Sequence, residues 1–459
     1  MELSFIAPSS EDADNTWAST SRLINLYREP VGNRVVVKSH LGALQYAVAT
    51  GATGDCRAMA LINDSLWVVF GGSLYEISKD RVVSLRGDAD VIPDGNVSLS
   101  GNSGAIVIAT GPDGEPLTEG HRNDGYIVYT GGTMQRTSGV LPLYVSGATF
   151  FEERTVVTSA SYSGRKVYWS DPGDPLEFNA LNFAEARSRD DKIIRPVAIA
   201  GALWIFKQRS IERWASNQLG DLAPLPGATI DRGLKDYQLL SEISGGCFFV
   251  GNDNITYTVM GGEMARISTV PVETAIQSGR ARRTFYFEDE GHKFCVITFS
   301  DRPAWVYDIA TGEWSERADE GGTTTWSAQA ASVDRSGLHV VGYQNGIMAE
   351  MFRHNRDFDD DMIRQAVSTT FQNSGEPFKV PRLELQAKTS DYTSAPEITL
   401  EMSKDFGRTW RLSRTRSLGA DGDAPKKLEF RALGQYEQAT ARVTISDRLD
   451  VAFDSVAFL

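Results

Sequence analysis

At 459 residues the chain exceeds a single small core and has room for one large domain plus a smaller one. A formal net charge of −14 argues against a nucleic-acid-binding surface of the usual basic kind, while leaving room for a protein past which nucleic acid slides without sticking. No apolar run approaches the roughly 18 residues a membrane helix needs, and the opening Met-Glu-Leu-Ser-Phe has neither the basic nor the apolar region of a signal peptide.

Residues 1–55 hold few clear strand signals and are expected to form an extended arm. From there on, short runs rich in Val, Ile, Tyr, Phe and Trp alternate with Gly, Asp, Asn and Ser turns. Residues 60–77 read as three strands separated by turns at Asn63-Asp64 and Gly71-Gly72, and residues 195–214 have the same rhythm. Residues 245–268 again give three strands, with turns at Asn252-Asp253 and Gly261-Gly262. Cys247 and Cys295 lie in apolar strand-like runs, where a thiol acts as a small hydrophobe. With Cys56 they make an odd, widely spaced set of three, which suggests neither a disulfide framework nor a zinc site and fits a reducing compartment. Residues 283–318 include Trp305-Val306-Tyr307-Asp308-Ile309-Ala310-Thr311-Gly312-Glu313-Trp314, a strand, a tight turn and an aromatic on the next strand. Residues 337–351 pair across Asn345-Gly346. Units starting roughly every 40 to 50 residues have the period of propeller blades, each a sheet of about four strands that must stack on its neighbours. Residues 56–352 are therefore expected to form a β-propeller of about six blades, with a large β-sandwich or several small β-domains as the alternative.

Helical periodicity is scarce. Residues 358–370 are a helix candidate, because a run of acids suits a helix N-terminus, but the shift in composition favours a solvated linker over 353–375. Beyond it, residues 376–459 read as a second all-β domain, with strands near 382–388, 397–403, 426–431, 440–446 and 451–459. This domain contains Ser403-Lys404-Asp405-Phe406-Gly407-Arg408-Thr409-Trp410, which matches the Asp-box pattern S-x-D-x-G-x-T-W. Its chemistry is that of a tight hairpin. The Asp405 carboxylate takes backbone N–H groups of its own turn, Gly407 supplies a backbone conformation a Cβ would oppose, and Trp410 packs on the sheet below. Ser403, Asp405, Gly407, Thr409 and Trp410 are thus structural, and the step from Asp-box to glycosidase is weak because fold and function come apart.

Catalytic constellations do not emerge. The five histidines, His40, His121, His292, His339 and His354, show no metal-ligand spacing, and no nucleophile elbow or P-loop occurs. Acidic clusters at 11–14, 171–174, 288–290 and 357–361 could in principle supply paired carboxylates, but acid runs on loops are ordinarily solvated. Arg280, Arg282 and Arg283 are the nearest approach to a sialidase-like arginine cluster and read as a basic turn between blades. No enzyme activity, cofactor or metal is expected.

Two long segments carry a family resemblance. The first is Lys166-Val167-Tyr168-Trp169-Ser170-Asp171-Pro172-Gly173-Asp174-Pro175-Leu176-Glu177-Phe178, with Leu203-Trp204-Ile205-Phe206, Ser210-Ile211-Glu212-Arg213-Trp214 and Gly227-Ala228-Thr229-Ile230-Asp231-Arg232-Gly233. The second runs from Met402 through Trp410, Ser417-Leu418-Gly419 and Leu433-Gly434 to Ala441-Arg442-Val443-Thr444-Ile445-Ser446-Asp447 and Phe458-Leu459. Both resemble the packaged-DNA stabilization proteins of short-tailed double-stranded DNA bacteriophages, also called tail hub or nozzle proteins. The chain departs from them at Ala215-Ser216-Asn217, where relatives tend to carry a Tyr-Asn-Thr-Gly-like stretch. The resemblance implies a structural virion protein of the tail, assembled in the host cytoplasm as a homo-oligomeric ring, usually a hexamer, below the portal adaptor ring. It implies contacts with tail spikes or fibres and in some phages a needle plug, help in retaining packaged DNA, and a channel for ejection through which the duplex passes without tight binding. The rival expectation, prompted by the Asp-box, is a carbohydrate-binding or glycoside-cleaving β-propeller.

Overall fold

The computed structural model describes residues 3–4, 9–11, 20–32, 34–88, 90–91, 95–102, 104–111, 125–137, 141, 145–159, 164–217, 220–319, 324–353, 356–389, 396–418, 426–447 and 451–458. Nearly all of the regular structure is β. Six blades follow one another along the chain, each a sheet of four consecutive antiparallel strands. Blade 1 is Cys56–Ile62, Ser65–Phe70, Ser73–Ile77 and Val83–Gly87. Blades 2 to 5 open with the inner strands Asn96–Asn102, Val145–Phe151, Ile193–Ile199 and Leu240–Ile243. Blade 6 is Ala281–Asp289, His292–Phe299, Ala304–Asp308 and Glu313–Arg317.

The ring closes on a further sheet that is not consecutive in sequence. Ala330–Val333, His339–Gly342 and Ile347–Phe352 take Gly42–Val48, from near the N-terminus, as their fourth strand. Ile347 pairs with Val48 and Phe352 with Gly42. The early strand thereby joins the two ends of the propeller.

The hairpins form where the sequence offers a left-handed backbone. Asn63-Asp64, Gly261-Gly262 and Asn345-Gly346 all have both φ angles positive, the mirror-image turn whose twist matches that of the flanking strands. The second strands of the blades are largely buried on both faces. Ala105–Gly111 and Gly246–Val250 are buried at every position, because each blade is covered by its neighbours on either side. The core therefore sits between blades. Trp67, Val69, Val97 and Ile108 fill the gap between blades 1 and 2, and Val197, Trp204, Phe206, Phe249 and Val259 that between blades 4 and 5. Each such side chain contributes about 1.5–3 kcal/mol on burial.

A β-sandwich packs beside the propeller. One sheet is Leu26–Val31, Arg34–Ser39, Val451–Phe458, Phe378–Thr389 and Lys426–Tyr436, with Leu3–Ser4 also paired to Val451–Phe458. The other is Arg22–Ile24, Arg364–Val367, Gln438–Ile445, Glu397–Ser403 and Leu412–Ser417. Leu23, Leu26, Val37, Leu383, Leu400, Phe430 and Val443 share one core between them. The second sheet runs on into blade 6, since Arg22–Ile24 lies parallel to Glu313–Arg317 on one side and antiparallel to Arg364–Val367 on the other.

Three sequence expectations change here. The described part of the expected arm, 1–55, supplies strands to the sandwich and to the closing sheet, because, apart from the hairpin of Leu26–Val31 with Arg34–Ser39, its strands pair with distant parts of the chain. The described part of the expected linker, 353–375, is woven into sheets, and no helix forms over 358–370. Its first acid, Asp357, answers the buried Arg317 guanidinium, and Arg364–Val367 is paired on both edges. The sandwich therefore draws on both termini and extends beyond 376–459. A single short α-helix among the described residues, Val270–Gln277, links blades 5 and 6.

Candidate functional site

The propeller axis holds a cavity of about 480 Å³, the size of a small-molecule site. Its wall comes from the inner strands of blades 1, 2, 4, 5 and 6 and of the closing sheet. The charged side chains on that wall are Arg57, Arg195, Arg283 and Glu242. Arg57 donates at 2.7 Å to the carbonyl oxygens of Gly71 and Gly95. Arg195 lies over the Tyr237 ring at 5.0 Å, donates to the Leu240 carbonyl at 2.9 Å and reaches Glu242 at 3.4 Å. Arg283 is mostly buried and contacts the Asp55 carboxylate only at 3.4 Å. Burial pulls its guanidinium below the usual arginine range. Of the arginine trio singled out in the sequence, only Arg283 reaches this wall, because it sits on the inner strand Ala281–Asp289 beside a register shift, whereas Arg280 and Arg282 are exposed. Neither Arg57 nor Arg195 carries a local motif, so nothing in the sequence marks them as wall residues.

The Asp-box hairpin joins Glu397–Ser403 to Leu412–Ser417 in the sandwich, away from the propeller axis. Asp405 Oδ1 accepts the Thr409 N–H at 2.8 Å and the Ser403 hydroxyl at 2.7 Å, and Oδ2 accepts the Thr409 hydroxyl at 2.5 Å. The Thr409 hydroxyl foremost, then its N–H and the Ser403 hydroxyl, hold the Asp405 carboxyl down to about 2. Ser403 Oγ in turn accepts the Gly407 N–H at 2.9 Å. Gly407 has φ +79°, a conformation L side chains rarely adopt. Trp410 is half-buried and lies under the Arg442 guanidinium at 4.3 Å, which is itself bound to Glu401. These contacts organise the turn and pack it on the neighbouring strands, so the hairpin gives the glycosidase reading no support.

The described histidines are built into the fold. His40 is buried among Tyr27, Phe287 and Phe294, its Nε2 2.9 Å from the Ser315 hydroxyl. Burial, with Arg317 nearby, holds its pKa well below the ordinary value. His292 is bound to Asp308 at 2.7 Å, and His339 Nε2 accepts the Glu288 N–H at 3.1 Å. His121 and His354 lie outside the described residues, as do 12–14 of the first acidic cluster. The described residues bring together no group of three His, Cys, Asp or Glu able to hold a metal ion. Several acids of the other clusters have partners as well. Asp289 and Glu290 meet Arg353 at 2.6 and 3.1 Å, and Asp171 accepts the Asn182 amide at 3.1 Å. All three cysteines are buried free thiols, and burial pushes the Cys56 thiol up to about 12, leaving no reactive thiolate there.

One buried charged cluster escaped the sequence reading. In blade 4, Lys207 Nζ lies 2.9 Å from Asp191 and 3.0 Å from Glu212, all three closed to solvent. It also donates to the Ala186 and Arg189 carbonyls at 3.2 and 2.7 Å. Ser210 and the Arg209 N–H complete the Asp191 shell, and Trp214 Nε1 donates to Glu212 at 3.1 Å. The donors and acceptors saturate one another, which marks a structural ion cluster rather than a reactive one.

Solved structures to which the chain is similar include a streptogramin B lyase, 12% identical with a TM-score of 0.45, over 68% of this chain and 97% of that one. The WD40 β-propeller domain of Doa1 is 14% identical, with a TM-score of 0.40, over 67% and 96%. Virginiamycin B lyase from Staphylococcus aureus is 12% identical, with a TM-score of 0.45, over 68% and 98%. No curated protein sequence matches the chain. Residues 10–339, spanning the six consecutive blades, match the family described as "Bacteriophage P22 Gp10, beta-propeller", and the chain belongs to that family of phage structural proteins.

Proposed function

We propose that the protein is a component of a short phage tail, forming a ring below the portal adaptor that helps to retain packaged DNA and extends the ejection channel. The observation that carries this reading is the family match over residues 10–339. The build of the chain supports it. A propeller whose last consecutive blade shares one sheet with a sandwich is a rigid block suited to bearing load between neighbours. The ring is homo-oligomeric, with six copies as the working number, assembled in the host cytoplasm and carried in the virion tail. Its partners are the adaptor ring, tail spikes or fibres and a needle or plug protein. The duplex moves through the axis of the assembled ring. The propeller's own axis is not that channel, because its cavity of about 480 Å³ is of small-molecule size.

The direct test removes the protein from the particle. Phage assembled without it should package DNA, lose it on standing, and recover retention and infectivity when purified protein is added. Particles that keep their DNA and infect without it would end the retention role. Electron microscopy of the completed tail should show a ring of this chain beneath the portal.

A further inference from the structure

Positive charge is concentrated where the chain as a whole is acidic. The cavity wall on the propeller axis carries three guanidinium groups against one carboxylate, in a protein of net charge −14. Arginines in a recess can serve the fold alone, tying strands to one another. Arg57 fits that role, with its 2.7 Å bonds to two carbonyl oxygens. Arg283 does not fit it well. Its side chain is only 12% exposed, yet its hydrogen bonds to the carbonyl oxygens of Cys56 and Arg57 and to Asp55 measure 3.3, 3.5 and 3.4 Å. Good N–H···O bonds lie at about 2.7–3.2 Å, and those of a charged donor to a carboxylate at the short end of that range. The close bonds of Asp55 go instead to the amides of Gln329 and Gln344, at 2.8 and 2.7 Å. Arg283 is thus a desolvated cation with long bonds only, facing a cavity. Arg195 shares the wall, with its own carboxylate partner no closer than 3.4 Å. Gln238 also lines the wall, and its side-chain amide is able to donate to oxygen atoms.

We propose that this axial cavity is a binding site for a small multivalent oxyanion, bound by Arg283 and Arg195 and excluded from contact with the acidic outer surface. A planar guanidinium presents paired donors that match phosphate and carboxylate oxygens, and a recessed position protects the pairing from salt. Pyrophosphate and citrate carry the required charge in a volume the cavity holds.

Titration calorimetry on the full chain at low ionic strength, with sodium pyrophosphate, citrate and sodium chloride as probes, tests this. One equivalent of pyrophosphate or citrate per chain should bind, chloride should give no saturable heat, and a bound anion should raise the melting temperature. Arg283→Met and Arg195→Met should each weaken binding at least tenfold. Arg408→Met, which removes an exposed cation from the Asp-box turn, should leave it unchanged. Arg283→Lys keeps a charge at the site and should retain part of the affinity, which guards against a variant that merely misfolds. A structure of the wild-type protein soaked in pyrophosphate should show density at Arg283. No saturable heat from either anion, an equal loss in Arg408→Met, or an empty cavity in the soaked structure would each overturn the proposal.

Discussion

Side chains decide this structure through what they leave saturated. The Lys207 ammonium in blade 4 is closed to solvent with Asp191 and Glu212 on it, at 2.9 and 3.0 Å. Removing one member of a buried ion cluster costs far more than the cluster contributes net, because the remaining charges stay desolvated and unpaired. Lys207→Met should therefore destabilise the protein by about 3–5 kcal/mol, read from denaturant unfolding. The triple variant Lys207→Met, Asp191→Asn, Glu212→Gln should recover much of that loss, and a Lys207→Met protein as stable as the parent would rule out the cluster as a structural element. Asp405 gives a pH signature instead. Its carboxyl lies at about 2 in the folded protein, held down by the Thr409 hydroxyl and N–H and by Ser403, against about 3.9 in an unfolded chain. A depressed native value means stabilisation that is complete above the unfolded value and is lost as pH falls through the native one. The difference in melting temperature between the parent and Asp405→Asn should be largest above about pH 4 and vanish by about pH 2. A difference independent of pH would show that charge at Asp405 does not organise the turn. The turn was legible in sequence because its contacts span only Ser403 to Thr409. The Lys207 cluster was not, since Asp191 and Lys207 stand on either side of a hairpin with no motif to join them.

At the scale of strands, what was legible depended on distance along the chain. Turns at Asn63-Asp64, Gly261-Gly262 and Asn345-Gly346 carry residues that accept a positive φ, and the hairpins they specify are present. Turns at Glu152-Glu153 and Ala200-Gly201 adopt the same backbone with residues that do not advertise it, because the flanking strands impose it. The short helix Val270–Gln277 had a local marker, a proline in its first turn followed by Glu273, but is too short for periodicity to reveal. The closing strand had none. Gly42–Val48 meets Ile347–Phe352 some 300 residues away, and no local pattern encodes that pairing. Its role has a consequence. A chain beginning at residue 50 loses Gly42–Val48 from the closing sheet and also the sandwich strands Leu3–Ser4, Arg22–Ile24, Leu26–Val31 and Arg34–Ser39. It should be degraded rapidly by protease and show no cooperative thermal transition. A truncated chain that melts in one step at the parent temperature would mean that the early strands decorate the fold rather than close it.

For the whole molecule the question is where charge sits, rather than how much there is. A net charge of −14 leaves room for an acidic path for DNA, and the acid runs at 288–290 and 357–361 are able to contribute to it. Several of those acids are engaged internally: Asp289 and Glu290 with Arg353, and Asp357 in a buried pair with Arg317. Some cationic side chains are similarly withdrawn, since Arg317 and Lys207 are fully buried and Arg57, Arg195 and Arg283 face a small axial cavity. A duplex backbone cannot follow them there. Tight binding to DNA requires several accessible Lys or Arg side chains to neutralise phosphates and release counterions, and its strength then falls steeply with salt. Over the whole chain the 60 Asp and Glu outnumber the 46 Lys and Arg, so long-range repulsion should win at low salt and fade as the Debye length shrinks. The purified protein should accordingly show no submicromolar affinity for linear duplex DNA at physiological salt, and lowering the salt should not create it. Fluorescence anisotropy of an end-labelled duplex across a salt series measures both. Submicromolar binding that weakens as salt rises would mean that a basic surface exists on the assembled protein, and a channel holding DNA by phosphate capture would replace one through which it slides.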